Sequence, residues 1–393
     1  MSNVPKLRFK EFSGEWEEKK FEDIFSFSTG KNIKQNEASP DFEIPCVRYG
    51  ELYHMYGEVI SKIINKTNLE PSELIFSQGN EILLPSAGED PMDIGSASAL
   101  TVPNVAIGRT INILRPLVDN IYSQKYVAYY INQMLRKKIS TLAKGVSISN
   151  VYNSDLKQLN IKLPSLSEQE KIALFLSTID TKIEQLTQKQ SLLEQYKKGV
   201  MQKIFSQEIR FKADDGSEFP EWEEKKIKDI FNITRGNVLS MTLITKEKNA
   251  NNIYPVYSSQ TKDKGLSGFF NDFLFENCIT WTTDGAGAGD VNYRKGKFYC
   301  TNVCGVLKSD KGYANQFIAE LLNTVSRKYV SYVGNPKLMN NVMAEIMLLI
   351  PKSITEQTKI ANFLSAIDKK IELNKTKIAQ AKEFKKGLLQ QMF

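Results

Sequence analysis

From Ser167 to Phe205 the apolar residues keep to one seam. Ile172, Ile179, Leu186, Leu193 and Val200 recur every seven residues, with Leu176 and Ile183 four positions further on in their heptads. Gln190 and Lys197 occupy the next two of those positions before Ile204 restores apolar character. No Gly or Pro interrupts the pattern before Gly199. Such a seam, sustained over four heptads, predicts a coiled-coil helix rather than a helix packed on a domain surface. At 1.5 Å per residue it would form a rod roughly 58 Å long. Where the seam turns polar, the helix needs a different partner or a wetter environment.

The pattern occurs twice. Glu168-Gln169, Lys171-Ile172-Ala173, Phe175-Leu176-Ser177, Ile179-Asp180 and Lys197-Lys198-Gly199 all recur 188 residues on, as Glu356-Gln357, Lys359-Ile360-Ala361, Phe363-Leu364-Ser365, Ile367-Asp368 and Lys385-Lys386-Gly387. The second seam runs Ile360, Leu364, Ile367, Ile371, Ile378, Leu388 and Met392, with polar breaks at Asn374 and Lys385. Ser167 with Glu170 reads as a capping box at the start of the first helix, and Thr355 with Thr358 as its weaker counterpart. Two such seams in one chain predict an antiparallel pair.

A second repeat precedes each helix. Arg8-Phe9-Lys10 and Glu15-Trp16-Glu17-Glu18-Lys19-Lys20 return as Arg210-Phe211-Lys212 and Glu221-Trp222-Glu223-Glu224-Lys225-Lys226. Aromatic residues spaced between charges suit a half-buried strand entering a domain, anchored by Trp16 and Trp222. The organisation is therefore box, variable region, helix, twice over: residues 1–164, 165–208, 209–352 and 353–393. Both variable regions mix short buried strands (Ile44–Tyr49, Glu81–Pro85, Asn104–Leu114, Leu159–Leu163; Cys278–Thr282, Cys300–Leu307, Ile346–Ile350) with one amphipathic helix each, over Tyr122–Leu142 and Phe317–Val330. Ser86–Ser98 reads as a long loop and Asp284–Asp290 as a glycine loop. The fold class is α+β: two similar mixed α/β domains separated by two long antiparallel helices, a pseudo-two-fold internal duplication. Their loops differ in length and composition, as expected of a scaffold with replaceable contact surfaces.

Composition narrows the chemistry. The net charge of +7 suits a polyanionic partner. Four scattered cysteines suit a reducing cytoplasm, and no apolar run reaches membrane-spanning length. Gly285-Ala286-Gly287-Ala288-Gly289 lacks the nucleotide-binding spacing, and the chain has no Walker Gly-Lys-Ser/Thr. A tight turn between strands is the simpler reading. Cys300-x-x-x-Cys304 is half a zinc motif with no other half, so a shared core face is expected instead. The single histidine, His54, sits near Tyr53 and Tyr56 as a surface or contact residue. The chain has no Asn/Asp-Pro-Pro-aromatic motif for amino-group methylation and no convincing carboxylate–lysine nuclease set. No catalytic residue is assigned.

Two tryptophan boxes, two variable regions and two Glu-Gln-x-Lys-Ile-Ala-x-Phe-Leu-Ser-x-Ile-Asp helices resemble the specificity subunits of type I restriction–modification enzymes, over nearly the whole chain. The resemblance implies that each variable region reads one half of a split, asymmetric site in double-stranded DNA. It implies that the paired helices set the gap between half-sites. It also implies two methyltransferase subunits and two ATP-dependent restriction subunits as partners, with S-adenosylmethionine, ATP and Mg on those partners and no cofactor on this chain. Loop residues suited to phosphate and base contacts are Lys31, Asn32, Lys34, Arg48, Tyr49, Ser86, Arg109, Lys144, Ser147 and Asn150 in the first domain. In the second they are Arg235, Asn237, Ser258, Ser259, Gln260, Lys262, Arg294, Lys337 and Asn340. The rival reading is a two-headed helical scaffold joining proteins, its basic charge incidental.

Overall fold

The computed structural model describes residues 4–145, 148–259 and 262–393. It divides into two compact units, residues 1–188 with 376–393 and residues 189–375, so each long helix contributes to both.

In the first unit, one five-stranded sheet runs in the order Phe25–Thr29, Ile111–Pro116, Glu81–Pro85, Ser98–Leu100, Val59–Ile60. A second, of four strands, runs Asn65–Thr67, Ile44–Val47, Pro103–Ile107, Phe76–Gln78. Glu17–Lys20 pairs antiparallel with Asn160–Leu163, so the tryptophan box enters the domain as a strand and buries Trp16. The amphipathic stretch is helical over Gln124–Leu142 but widens to a π-helical turn at Ile131–Leu135. There the Asn132 amide bonds both the N–H and the C=O of Ala97, at 2.9 and 2.7 Å. Ser86–Ser98 is not a continuous loop. It holds a two-residue strand at Ala87–Gly88 and a helical turn at Pro91–Ile94, capped by Asp90. Proline at the first helical position and aspartate before it are start signals hidden among turn-forming residues.

The second unit builds one six-stranded sheet in the order Asn232–Arg235, Cys304–Lys308, Phe275–Thr282, Val291–Cys300, Tyr254–Tyr257, Leu266–Phe270. Its tryptophan box pairs with Met347–Ile350 as the first does with Asn160–Leu163. Cys300–Leu307 is two strands rather than one, because the chain turns through Thr301 with a Cys304 N–H to Thr301 C=O bond of 3.0 Å. Cys300 and Cys304 still share a small buried cluster with Cys278, Phe298 and Val306.

The long helices span Leu166–Phe205 and Ile354–Met392. Their caps lie two residues earlier than the sequence pattern suggested: the hydroxyls of Ser165 and Ser353 accept the N–H of Glu168 and Glu356 at 3.4 and 3.3 Å. The seam faces inward. Ile172, Leu176, Ile360, Leu364, Ile367 and Ile371 are buried, and Ile179, Ile183, Leu186, Leu193 and Ile378 half-buried. Leu174, Leu192 and Leu373, off the seam, are exposed.

Each polar break has a partner. In the first unit Lys385 meets Asp180 at 2.6 Å and Glu58 at 3.0 Å. In the second Lys197 meets Asp368 at 2.8 Å and Glu320 at 2.7 Å. The Asn374 amide donates to Gln190 at 3.1 Å. Because 190 meets 374 and 197 meets 368, the helices run antiparallel. Burial disfavours the charge on Lys385, but Glu58 and Asp180 outweigh it and raise its pKa; Lys197 behaves alike toward Asp368 and Glu320. Asp180 is also raised, since burial outweighs its bonds from Lys385 and Tyr129.

The duplicated box and the duplicated helix start form one clasp. Arg8 grips the Glu168 carboxylate with two bonds of 2.7 Å, and Phe9 stacks edge-on with Phe175 at 5.8 Å. In the second unit Arg210 meets Glu356 at 3.2 Å, the Trp222 indole donates to the same carboxylate at 3.2 Å, and Phe211 meets Phe363 at 5.6 Å. The far end of each helix seats an aromatic ring: Phe393 against Trp16 and Tyr126, Phe205 against Phe317.

Candidate nucleic-acid interface

Both domains launch their candidate loops from the same backbone device. After the first sheet strand past the tryptophan box comes a glycine, Gly30 or Gly236. A Cβ there would lie 1.9 Å from the Gly108 oxygen in the one case and 2.1 Å from the Cys300 oxygen in the other. Only glycine lets the outgoing loop cross the neighbouring strand this closely. The residues that follow carry the polar candidates.

In the first domain that loop is strained. Asn32 and Ile33 have φ of 54° and 56°, and Thr110 has φ of 68°. For β-branched Ile33 and Thr110 the left-handed region is costly, on the order of 1–3 kcal/mol each. The strain is held by bonds from the Lys31 N–H to Ile107, from the Arg109 N–H to Asn32 and from the Asn32 amide to Glu73, at 3.0, 2.9 and 2.8 Å. Arg109 lines two cavities, of about 440 and 520 Å³. Lys34, Arg48, Tyr49 and Arg109, proposed from sequence as separate contacts, line the first together. Arg48 is partly committed, bonding the buried Glu51 at 2.8 Å and so fixing the helix Tyr49–His54. Tyr49 is therefore the first residue of a helix, not the end of a strand.

Tyr49, Tyr53, His54 and Arg109 also line the second cavity, opposite Glu89 and Asp93. Burial raises the Tyr53 phenol, with smaller contributions from Tyr49, Asp93 and Glu89. Ser86 lies just behind, its N–H bonded to Thr110 and its C=O to Val151. Lys144 and Asn150 face each other across a pair of backbone bonds at 2.9 and 2.8 Å, and Lys144 pairs with Asp155 at 2.8 Å. Ser147 lies outside the described residues. Glu89 was not among the residues singled out from the sequence, and His54, read there as a surface or contact residue, lines both cavities. No periodic pattern marks residues whose only common property is a cavity wall.

In the second domain the candidates form two groups. Asn237 bonds Cys300 through its N–H at 3.1 Å, and the Ser258 hydroxyl accepts from Thr301 at 2.9 Å, with exposed Arg235 and half-buried Ser259 beside them. Lys337 and Asn340 belong to a separate segment. The Lys337 backbone pairs with Ser331, and its ammonium reaches Asp284 at 3.7 Å. Lys262 opens a turn in which Asp263 and Lys264 are left-handed, with φ of 49° and 51°. Arg294 departs from the sequence reading. It is only 7% exposed, lies over the Tyr257 ring at 3.7 Å, and donates to Thr280 and to the Lys264 carbonyl at 2.9 and 2.6 Å. It shapes the Lys262 turn from beneath rather than facing outward. Gln260 lies outside the described residues.

The glycine loop closes on itself. The N–H groups of Ala288 and Asp290 bond Gly285 and Gly287, both at 2.9 Å, leaving a turn between strands rather than an open phosphate cradle. Among the described residues no group of His, Cys, Asp and Glu could hold a metal, and no helix is long and apolar enough to cross a membrane.

The family model for the type I restriction modification DNA specificity domain matches residues 13–195 and again 220–383. The chain belongs to that family. A Mycoplasma pneumoniae chain bearing the provisional name of type I specificity subunit is 34% identical over 225 residues, 56% of this chain and 80% of that one. The type I restriction enzyme MpnII specificity subunit of the same organism is 40% identical over 157 residues, 39% of this chain and 46% of its own length. A crystal structure of the type I restriction–modification S subunit from M. genitalium aligns over 99% of both chains with a TM-score of 0.70 at 19% identity, a likeness of fold. The two matched segments are the two box–domain–helix modules, so the family's repeat is the chain's own duplication.

Proposed function

We propose that this chain is the DNA-reading, non-catalytic subunit of a type I restriction–modification complex. Each domain reads one half of a bipartite, asymmetric site through its own loops. The helix pair sets the gap between half-sites. Two methyltransferase subunits carrying S-adenosylmethionine dock on the chain, and two restriction subunits using ATP and Mg complete a cytoplasmic nuclease. One observation carries the reading: the clasp residues, the tryptophan boxes and the first two heptads of the seam (Ile172, Leu176, Ile179 and Ile183, matched by Ile360, Leu364, Ile367 and Ile371) recur unchanged, whereas the surfaces they support do not. A duplicated frame with divergent contact faces suits two unlike half-sites. Lysines and arginines at those faces would neutralise phosphates, and the polar and aromatic groups between them would meet base edges. A four-residue insertion in both helices would lengthen the spacer by about 6 Å and shift the preferred gap by one or two base pairs.

The test is single-molecule sequencing of methylated adenines in cells carrying the chain with its methyltransferase, and in cells lacking the chain. One bipartite motif, lost on deletion, is the expected result. A motif that persists without the chain would overturn the reading, as would the absence of any motif despite an assembled complex. DNA binding that ignores salt would instead favour a scaffold joining proteins, because phosphate contacts release counterions.

A further inference from the structure

The cavity behind Arg109 contains a charge that phosphate binding does not explain. Glu89 is exposed on its wall, and among the described residues its carboxylate has neither an ion pair nor a hydrogen bond. Its acidic neighbours are committed. Asp90 accepts the Met92 N–H at 2.8 Å, and Asp93 lies 3.8 Å from Arg136. A free carboxylate among groups positioned to meet a polyanion is repelled by every phosphate. The groups of DNA that welcome it are the exocyclic amino groups of bases, cytosine N4 above all. Around it stand the other parts of a base-reading pocket. Tyr53 meets His54 edge-on at 4.5 Å and Tyr49 at 6.3 Å, giving a rigid aromatic wall. The Arg109 N–H bonds the carbonyl of left-handed Asn32 at 2.9 Å, and left-handed Thr110 follows it, so the backbone fixes where its side chain starts.

We propose that Glu89, which shares its cavity with His54 and Arg109, determines specificity at one position of the first domain's half-site by accepting a hydrogen bond from the amino group of a base, with cytosine as the match. This deepens the DNA-reading role proposed above and rests on it. Arg109 supplies the complementary donor toward a neighbouring guanine or phosphate, and Tyr49 with His54 bounds the space a base edge can enter. Glu89 thus acts by rejecting bases that present an acceptor where cytosine presents its amino group.

The experiment compares the methylated motif of the assembled methyltransferase complex carrying the unaltered chain, Glu89→Gln or Glu89→Ala, and measures binding of each to unrelated DNA at low salt. Glutamine can donate as well as accept, so Glu89→Gln should relax one position of one half-site by roughly 5- to 150-fold, the range of a single base contact. The other half-site should stay unchanged, and binding to unrelated DNA should hold or strengthen because a negative charge is gone. An unchanged motif in both variants overturns the proposal, as does equal weakening at every position and on unrelated DNA, which would mark Glu89 as structural. If the unaltered complex shows no bipartite motif, the underlying DNA-reading role fails, a result distinct from an intact motif that Glu89 does not influence.

Discussion

Replacing Arg8 with alanine isolates the clasp that joins each box to its helix. Glu168, 1% exposed, holds its charge inside the first unit against two guanidinium bonds of 2.7 Å. Removing the arginine leaves a buried carboxylate with no cation beside it, a change that costs about 3–5 kcal/mol where pairs are well buried. A domain's whole stability is about 5–15 kcal/mol, so the first unit should lose a large part of its margin. The helix N-terminus returns only about 0.3–1 kcal/mol. Arg210→Ala should cost less than Arg8→Ala, because Trp222 keeps a 3.2 Å bond to Glu356. Urea unfolding followed by circular dichroism gives the total loss, and hydrogen exchange in peptides covering residues 166–188 locates it. The double variant Arg8→Ala/Glu168→Leu should recover most of the loss, since no orphaned charge remains. A loss under about 1 kcal/mol for Arg8→Ala, the cost of an exposed ion pair, would refute the argument. So would a double variant no better than the single one.

Three further outcomes follow from the same structure. Leu364→Ala, at a fully buried seam position, should cost about 2–5 kcal/mol in urea unfolding, and Leu373→Ala, on the exposed side, close to nothing. Gly30→Ala should fail to fold its loop or abolish DNA recognition, because the new Cβ meets the Gly108 carbonyl, whereas Gly199→Ala meets nothing within 4 Å and should stabilise the helix by about 0.5–1 kcal/mol; thermal melts distinguish the two. The cysteines should resist iodoacetamide in the folded protein at pH 8 and all react in urea. Burial pushes Cys46 up to about 12 and Cys304 to about 11 from an ordinary value of 9.0, and pushes Cys300 up as well. Because the folded values lie above the unfolded one, the thiols' contribution to stability is complete below pH 9 and is lost as pH climbs toward 11–12; a urea midpoint that rises over that interval would contradict it.

Much of the molecule was legible in the chain. A heptad seam repeated 188 residues apart fixes two long helices because periodicity is a local property, and local hydrophobic pattern decides which face a helix buries. The recurrence of both motifs likewise established the duplication, and Trp16 and Trp222 were recognisable as anchors. What the sequence left open were relations between distant residues. Arg8 and Glu168 stood as separate motifs; only folding made them one clasp. Lys197 and Lys385 read as faults in the seam, and tertiary structure gave each two carboxylates, one of them from the adjoining domain. The contact faces were least legible. Arg294 and Arg109 look alike in sequence, yet one stacks on Tyr257 and the other lines two cavities. Periodicity settles what a segment becomes by itself. Which loop side chains end up buried and which exposed depends on strand crossings, such as those at Gly30 and Gly236, between residues far apart in the chain.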